Sequence, residues 1–302
     1  MMKEKLPVRR TPHPGKKQVL INNISGQGSM LVAFSGGTDS ALLAVLAHEA
    51  LGEKTCCVFI DSPLIPRRVL EDAELVAREM GLSLEVITAP VMKNKKILKN
   101  TVDRCYFCKK MIARILKQRA GELGITCIAD GSNISDTSEY RPGLIAMTEE
   151  GILHPFMESG ITKQDIRNIA RRCGYGFWNK PSASCLATRI PYGEAITAEK
   201  LTMIEKAEAY LAEKGIERAR VRMHAGIARI EVDKKNMLIV LRMQQELVNV
   251  FRQIGFLYVT LDLAGYRTGS MDEVQNRGTA NRFNNHGSTG HYSSAIPAKQ
   301  VK

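Results

Sequence analysis

The sequence predicts an α/β protein, a parallel-sheet domain followed by a smaller α+β domain, on three observations. Short apolar runs alternate with helix-length periodic segments through the first half of the chain. A Gly-Gly turn falls directly between the first such run and the first helix. The pattern changes after about residue 156. Strands alternating with helices of this length form a parallel sheet covered on both faces.

The elements follow in order. Residues 30–34 (MLVAF) read as a buried strand, residues 35–40 as a loop, and residues 41–51 as a helix stopped by Gly52. Residues 55–60 (TCCVFI) make a second strand, 67–80 a helix closed by Gly81, and 82–87 a third strand. A helix is expected over 109–123 and a fourth strand over 126–129, running into Asp130. Right-handed crossovers aim all four strands the same way, so a ligand is expected at their carboxyl ends. Beyond residue 156 come a helix over 161–173, N-capped by Thr162 or by a residue just before it, and a Gly-, Pro- and Ser-rich loop over 174–192. A helix from Thr197 to about Lys214, strands at 220–223 and 228–232, a helix over 235–254 and a strand at 258–263 complete the chain. The organisation expected is a solvated basic arm over 1–28, domains over 29–157 and 158–275, and a tail over 276–302. That tail is too rich in Asn, Gly and Ser to build a core.

Composition narrows the function classes. Of 302 residues, 44% are hydrophobic and 25% charged, as in an ordinary globular protein. No run approaches the roughly 20 apolar residues of a membrane span, and the basic first residues carry no apolar segment of a secretory signal. A cytoplasmic location with no membrane partner is the expectation. The net charge of +12 favours anionic partners such as nucleotides, phosphorylated substrates or RNA. Seven cysteines in a reducing compartment are expected as free thiols. Cys56, Cys57 and Cys127 fall in apolar runs and read as small core residues, whereas Cys105, Cys108 and Cys185 sit among polar and loop residues.

The stretch Ser35-Gly36-Gly37-Thr38-Asp39-Ser40 has the features of a pyrophosphate cradle. Adjacent glycines turn tightly and present bare N–H groups, and the following helix adds its positive end. Ser35 and Ser40 can donate to phosphate oxygens, and Asp39 is placed to fix the loop or a magnesium ion. The Lys-Ser/Thr pair of a γ-phosphate-binding P-loop is missing. The hexapeptide resembles the SGGxDS signature of PP-loop ATP pyrophosphatases. In that superfamily, with its Rossmann-like sheet, ATP is split between the α and β phosphates and AMP is placed on a substrate oxygen. The resemblance puts adenine and ribose contacts at Asp61 and Ser62, with Arg67 as a phosphate or substrate contact, and Gly131 as a close backbone approach to the nucleotide.

Four further segments narrow the resemblance: Arg104-Cys-Tyr-Phe-Cys-Lys109, residues 130–143 (DGSNISDTSEYRPG), residues 180–193 (KPSASCLATRIPYG) and residues 261–270 (LDLAGYRTGS). Together they resemble the LarE family of ATP-dependent sulfur transferases, from about residue 29 to residue 274. The resemblance implies work on the nickel-pincer nucleotide cofactor. A carboxylate of a pyridinium biscarboxylic acid mononucleotide is adenylated by ATP and magnesium and then becomes a thiocarboxylate. It implies Cys185 as the sulfur-bearing residue, attacking the acyl adenylate and giving up its sulfur to leave dehydroalanine. Lys180 and Arg189 flank Cys185 and are expected to lower its pKa.

The CxxC of Cys105 and Cys108 is open on its own to redox, zinc or cluster roles. With Cys185 it makes three thiols, and some LarE-like proteins hold a four-iron four-sulfur cluster on three cysteines. Arg104, Lys109, Arg141, Arg189, Arg220 and Arg222 are the candidates for binding the anionic mononucleotide, because guanidinium forks match carboxylate and phosphate. A homo-oligomer is expected and nucleic acid is not. The alternatives are a PP-loop tRNA thiolase, which the basic charge favours, and a nucleotide sensor without catalysis.

Overall fold

The computed structural model describes residues 15–138, 141–181 and 183–267. The expected tail, the first fourteen residues of the expected arm, Tyr140 and Ser182 lie outside the described residues. The chain runs α1 (Lys16–Ser25), β1 (Met30–Ala33), α2 (Thr38–Leu51), β2 (Thr55–Asp61), α3 (Arg67–Glu79), β3 (Leu84–Thr88), α4 (Lys95–Leu98), α5 (Arg104–Glu122) and β4 (Cys127–Ala129). It continues with α6 (Pro142–Glu149), α7 (Pro155–Glu158), α8 (Lys163–Arg172), α9 (Ala198–Glu213), β5 (Ala219–His224), β6 (Ile227–Val232), α10 (Met237–Arg242), α11 (Gln244–Ile254) and β7 (Tyr258–Leu261).

The first sheet is parallel throughout, in the order β3-β2-β1-β4. Period-two alternation sorts its side chains. Met30, Val32, Cys57, Phe59, Cys127 and Ala129 point to the layer of α1, α2, α3 and α8. Leu31, Val58, Ile60 and Ile128 point the other way, into a core shared with α5 and with the second sheet. Both faces are covered, which is why these strands read as continuous apolar runs. In the second sheet β6 pairs antiparallel with β5 and parallel with β7. Ala225 and Gly226, both at positive φ, make the two-residue turn that joins β5 to β6.

Three expectations are corrected. The arm is not solvated from Lys16 onward. There α1 buries Leu20 and Ile24, one helical turn apart, while Lys16 pairs with Asp165 at 2.7 Å and Lys17 with Glu49 at 2.9 Å. The helix expected at 109–123 starts at Arg104, because the buried Arg104 side chain is fastened to Asn100 and to the Ala187 carbonyl. Cys105 and Cys108 therefore lie on the first turn and a half of α5 and not on a loop. The helix expected over 235–254 is interrupted at Met243 into α10 and α11.

Candidate active site

The strand order reverses at β1. The chain proceeds outward to β2 and β3, then returns to place β4 on the opposite side, and open sheets of this kind bind ligands at the carboxyl ends of strands beside the reversal. The loop after β1 and the loop after β4 meet there. A Cβ on Gly131 would fall 2.8 Å from the Ser40 backbone nitrogen and 2.9 Å from the Asp39 carbonyl carbon. The missing side chain of Gly131 admits the start of α2. Gly36 is constrained twice, by a φ of 68° and by Ala73, whose Cα would stand 2.6 Å from an added Cβ.

Within the loop, Ser40 Oγ accepts the Ser35 N–H at 3.0 Å, lies 3.0 Å from Ser35 Oγ, and reaches the Gly37 carbonyl at 3.2 Å. The turn is thereby rigid before any ligand arrives. Gly37 stands at the N-cap of the fourteen-residue α2, whose first amides have no intrahelical acceptor and face an anion with the helix's positive end. Thr38 departs from expectation. Its hydroxyl is turned inward, donating to the carbonyls of Phe177 at 3.0 Å and Lys180 at 3.3 Å, and is not offered to phosphate.

Asp39 is bound by Lys163, a residue that the sequence reading did not single out. Burial pushes the Asp39 carboxyl above its usual range, and the Lys163 ammonium opposes this without cancelling it. A capping box between Thr162 and Asp165 fixes the start of α8, and the Lys163 N–H donates to Ser135 Oγ at 3.1 Å. The signal for Lys163 was its place as the first residue after a strong N-cap. Asp130, at the end of β4, bonds His154 Nδ1 at 2.8 Å and the Ser132 N–H at 2.9 Å, and His154 Nε2 meets Thr148 Oγ1 at 2.9 Å. Burial raises the Asp130 carboxyl, but the His154 bond and the nearby charges of His154 and Lys109 outweigh it and hold the carboxyl below its usual range.

At the end of β2, Asp61 pairs with Arg67, and the Arg67 backbone N–H donates to Glu205 of α9 at 2.5 Å. Ser62 is buried, with the Leu64 N–H 3.4 Å from its hydroxyl. Arg141 pairs with Asp136 at 2.6 Å. Lys109 is exposed, its stem lying against Gly143.

The three singled-out cysteines gather on one side of this edge, and all seven cysteines are free. Cys105 and Cys108 share a face of α5 by their i, i+3 spacing, and Cys185 ends the loop that leads to a short turn at Leu186–Arg189. Each thiol lies within electrostatic reach of another, with Arg104 among them and its Nη2 3.7 Å from Cys105 Sγ. Burial raises Cys185, and Arg104, the Ala187 N–H and Arg189 only partly offset it. Burial likewise pushes Cys108 up, to about 11. Lys180 is not beside Cys185: it pairs with Asp72 at 3.3 Å. Among the described residues no three His, Cys, Asp or Glu converge to hold a metal ion. Three thiols are nonetheless the donor chemistry that an iron–sulfur cluster takes.

Three of the arginines expected to bind substrate are buried and each is fastened by several protein groups. Arg189 forms a buried fork with Glu208 (Nε to Oε1, 2.9 Å; Nη2 to Oε2, 3.0 Å), and its Nη1 holds the carbonyls of Ser184 and Cys185, each at 3.0 Å. Arg222 donates to Glu231 at 3.1 and 3.0 Å and to the Thr188 carbonyl at 2.8 Å. Arg104 is likewise buried and fastened to Asn100 and Ala187. Arg220 differs. It is buried beside Arg189 and Arg68, its guanidinium stacks 5.5 Å from the Tyr266 ring, and its hydrogen bond goes to the Ala219 carbonyl at 2.7 Å. Burial, together with Arg189, lowers its pKa.

Among the described residues no helix is long and apolar enough to cross a membrane. The NAD synthase family matches residues 17–122, the stretch that contains the Gly-Gly loop and most of the parallel sheet. A GMP synthase of Clostridium perfringens is 26% identical over 217 residues, 64% of this chain and 42% of that protein. An uncharacterized protein of Synechocystis is 39% identical over 246 residues, 81% of this chain and 92% of that protein. The pyridinium-3,5-bisthiocarboxylic acid mononucleotide synthase of Lactiplantibacillus plantarum is 33% identical over 260 residues, 86% of this chain and 94% of that protein. A likeness of this identity across most of both chains shows the family, and the chain belongs to the LarE family of PP-loop ATP-dependent enzymes.

Proposed function

We propose that the protein transfers sulfur, at the expense of ATP, onto the carboxylates of a pyridinium dicarboxylate mononucleotide, a step in building the nickel-pincer nucleotide cofactor. What supports this reading is the carboxyl end of the first sheet, where the Gly-Gly loop packs on Gly131, together with the group of Cys105, Cys108, Cys185 and Arg104 and the desolvated Arg220 near Arg68. The amides of Gly36, Gly37 and the first turn of α2 take the β- and γ-phosphates. Asp39, released from Lys163, takes magnesium, and Lys163 turns to phosphate. A substrate carboxylate oxygen attacks the α-phosphorus, pyrophosphate leaves, and an acyl adenylate remains. A carboxylate is a poor electrophile, and AMP makes it a good one.

Arg220, whose described hydrogen bond goes to the Ala219 carbonyl, is the anion contact of the substrate. Arg189 and Arg222 shape that site through Glu208, Glu231 and the Thr188 carbonyl. A four-iron four-sulfur cluster, when bound, would be held by Cys105, Cys108 and Cys185 and would supply sulfide from its remaining iron. The all-thiol chemistry of the three residues supports this form of sulfur delivery.

A second route is favoured by Arg104 and the Ala187 N–H, which are placed to stabilise a Cys185 thiolate. In it, Cys185 Sγ attacks the acyl adenylate and expels AMP. Loss of the Cys185 Cα proton with cleavage of Cβ–S then leaves the thiocarboxylate on the product and dehydroalanine in the chain. Anaerobic incubation with ATP, magnesium and the dicarboxylate mononucleotide, followed by mass spectrometry of product and protein, tests both. Brown protein with intact Cys185 supports the cluster, and colourless protein lacking the elements of hydrogen sulfide at Cys185 supports the second route. Absence of pyrophosphate release removes the proposal, and tight, salt-sensitive binding of bulk tRNA replaces it with a tRNA thiolase.

A further inference from the structure

We propose that Thr38 is a positioning residue that couples occupancy of the ATP loop to the presentation of Cys185. Thr38 is the first residue of α2, the place from which a hydroxyl would ordinarily face an incoming phosphate. Here it is 2% exposed and shares its hydrogen between the carbonyls of Phe177 and Lys180, at 3.0 and 3.3 Å. Those carbonyls bracket the end of the short turn at Gly176–Asn179, from which the chain passes in five residues to Cys185.

The strap from Phe177 to Leu186 is tied to the nucleotide half at three places. Thr38 of α2 holds one end, and Asp72 of α3 holds Lys180 at 3.3 Å. The Leu64 carbonyl accepts the Leu186 N–H at 2.8 Å. Between the ties Pro181, Ala183 and Ser184 are exposed. The upstream ties go to the two helices that wall the Gly-Gly turn, since Ala73, next to Asp72, is the residue packed on Gly36. A phosphate that pulls on the first turn of α2 therefore pulls on a side chain rooted in that turn, and through it on the strap. The Phe177 carbonyl's other donor, the Lys180 N–H at 3.1 Å, belongs to the strap itself, so the tie to α2 runs through this one hydroxyl.

The inference rests on the functional reading above, and its test separates the two. The full chain, prepared anaerobically, is compared with Thr38→Val, which keeps the shape and loses the donor, and with Thr38→Ser, which keeps the donor. Single-turnover pyrophosphate release and thiocarboxylate formation are followed separately. In Thr38→Val the thiocarboxylate formed per pyrophosphate falls about tenfold, the effect of one net buried hydrogen bond, while the KM for ATP stays unchanged; Thr38→Ser restores the ratio. Peptide mass spectrometry of Cys185 alkylation gives a second readout that needs no turnover. A nonhydrolysable ATP analogue alters the alkylation rate in the parent and in Thr38→Ser, and leaves it unaltered in Thr38→Val. If Thr38→Val does not fold, Lys180→Met, which frees the same strap from Asp72, shows the same loss of ATP response. A rise in the KM for ATP with both products falling in parallel would mean that Thr38 serves the phosphates, and overturns the proposal. So does a Thr38→Val protein that behaves as the parent does. If the parent itself forms no thiocarboxylate, the functional reading fails, while the alkylation comparison still decides the role of Thr38.

Discussion

Arg189 and Glu208 form a two-point pair in which neither side chain is more than 4% exposed. Glu208 also accepts the Val221 N–H at 3.0 Å, and Arg189 also holds the Ser184 and Cys185 carbonyls. One ion pair thus fixes the Cys185 loop against both α9 and β5. The charge that its sequence position suggested for the substrate is consumed inside the protein.

Arg189→Met leaves Glu208 buried and unpaired, so the loss expected is about 3–5 kcal/mol of folding stability. Chemical denaturation reads it directly. A substrate contact would instead leave the transition midpoint where it is and raise the KM for the mononucleotide.

Arg220→Met gives the opposite pattern. The guanidinium is desolvated and its pKa lowered by burial first and Arg189 second, so removing its charge relieves an unfavourable term. The melting temperature stays level or rises, and the KM for the anionic substrate increases by about tenfold or more, as for loss of a charge-assisted hydrogen bond. Thermal melts and steady-state kinetics on the same preparation separate the two effects.

Gly131→Ala drives a Cβ into the backbone of Ser40 and Asp39, and neither can swing away as a side chain tip would. Overpacking of this kind costs about 1–3 kcal/mol. Because the displaced atoms are those that begin α2, ATP affinity falls as well. Titration calorimetry with ATP checks this, and Ser132→Ala beside it is the control that keeps affinity.

Asp130 supplies a pH signature. Its folded-state pKa lies below the ordinary value of 3.8, so its contribution to stability is complete above that value and is lost as pH falls through the lowered one. Asp130→Asn is therefore less stable than the parent at neutral pH, and the two stability curves converge in acid. Curves that stay parallel down to the acid transition would show that the His154 bond contributes nothing.

The parallel sheet and the Gly-Gly cradle were legible because both are local. Residues 30–40 carry a strand, a turn and a helix start in one stretch, and the apolar runs of β1, β2 and β4 match their two-sided burial. The fate of the arginines was not legible, since a guanidinium looks the same in a sequence whether it faces solvent, substrate or a carboxylate. Arg189 meets Glu208 and Arg222 meets Glu231 only because α9 and the β5–β6 pairing bring them together. Lys163 was missed for the same reason, being 124 residues from the Asp39 it binds. The packing of Gly131 on the start of α2 was not legible either, because the nearness of the β1 and β4 loops follows from strand order, which no single segment encodes.

The apolar core behind β1, β2 and β4 passes without a break into the core beneath the second sheet, joining Leu31, Val58 and Ile128 to Val221 and Ile230. There is no seam along which the two halves could be pried apart without wetting both. On the proposed function, activation and sulfur delivery share this one continuous core, so what travels between them is the substrate or a short stretch of chain and not half of the protein.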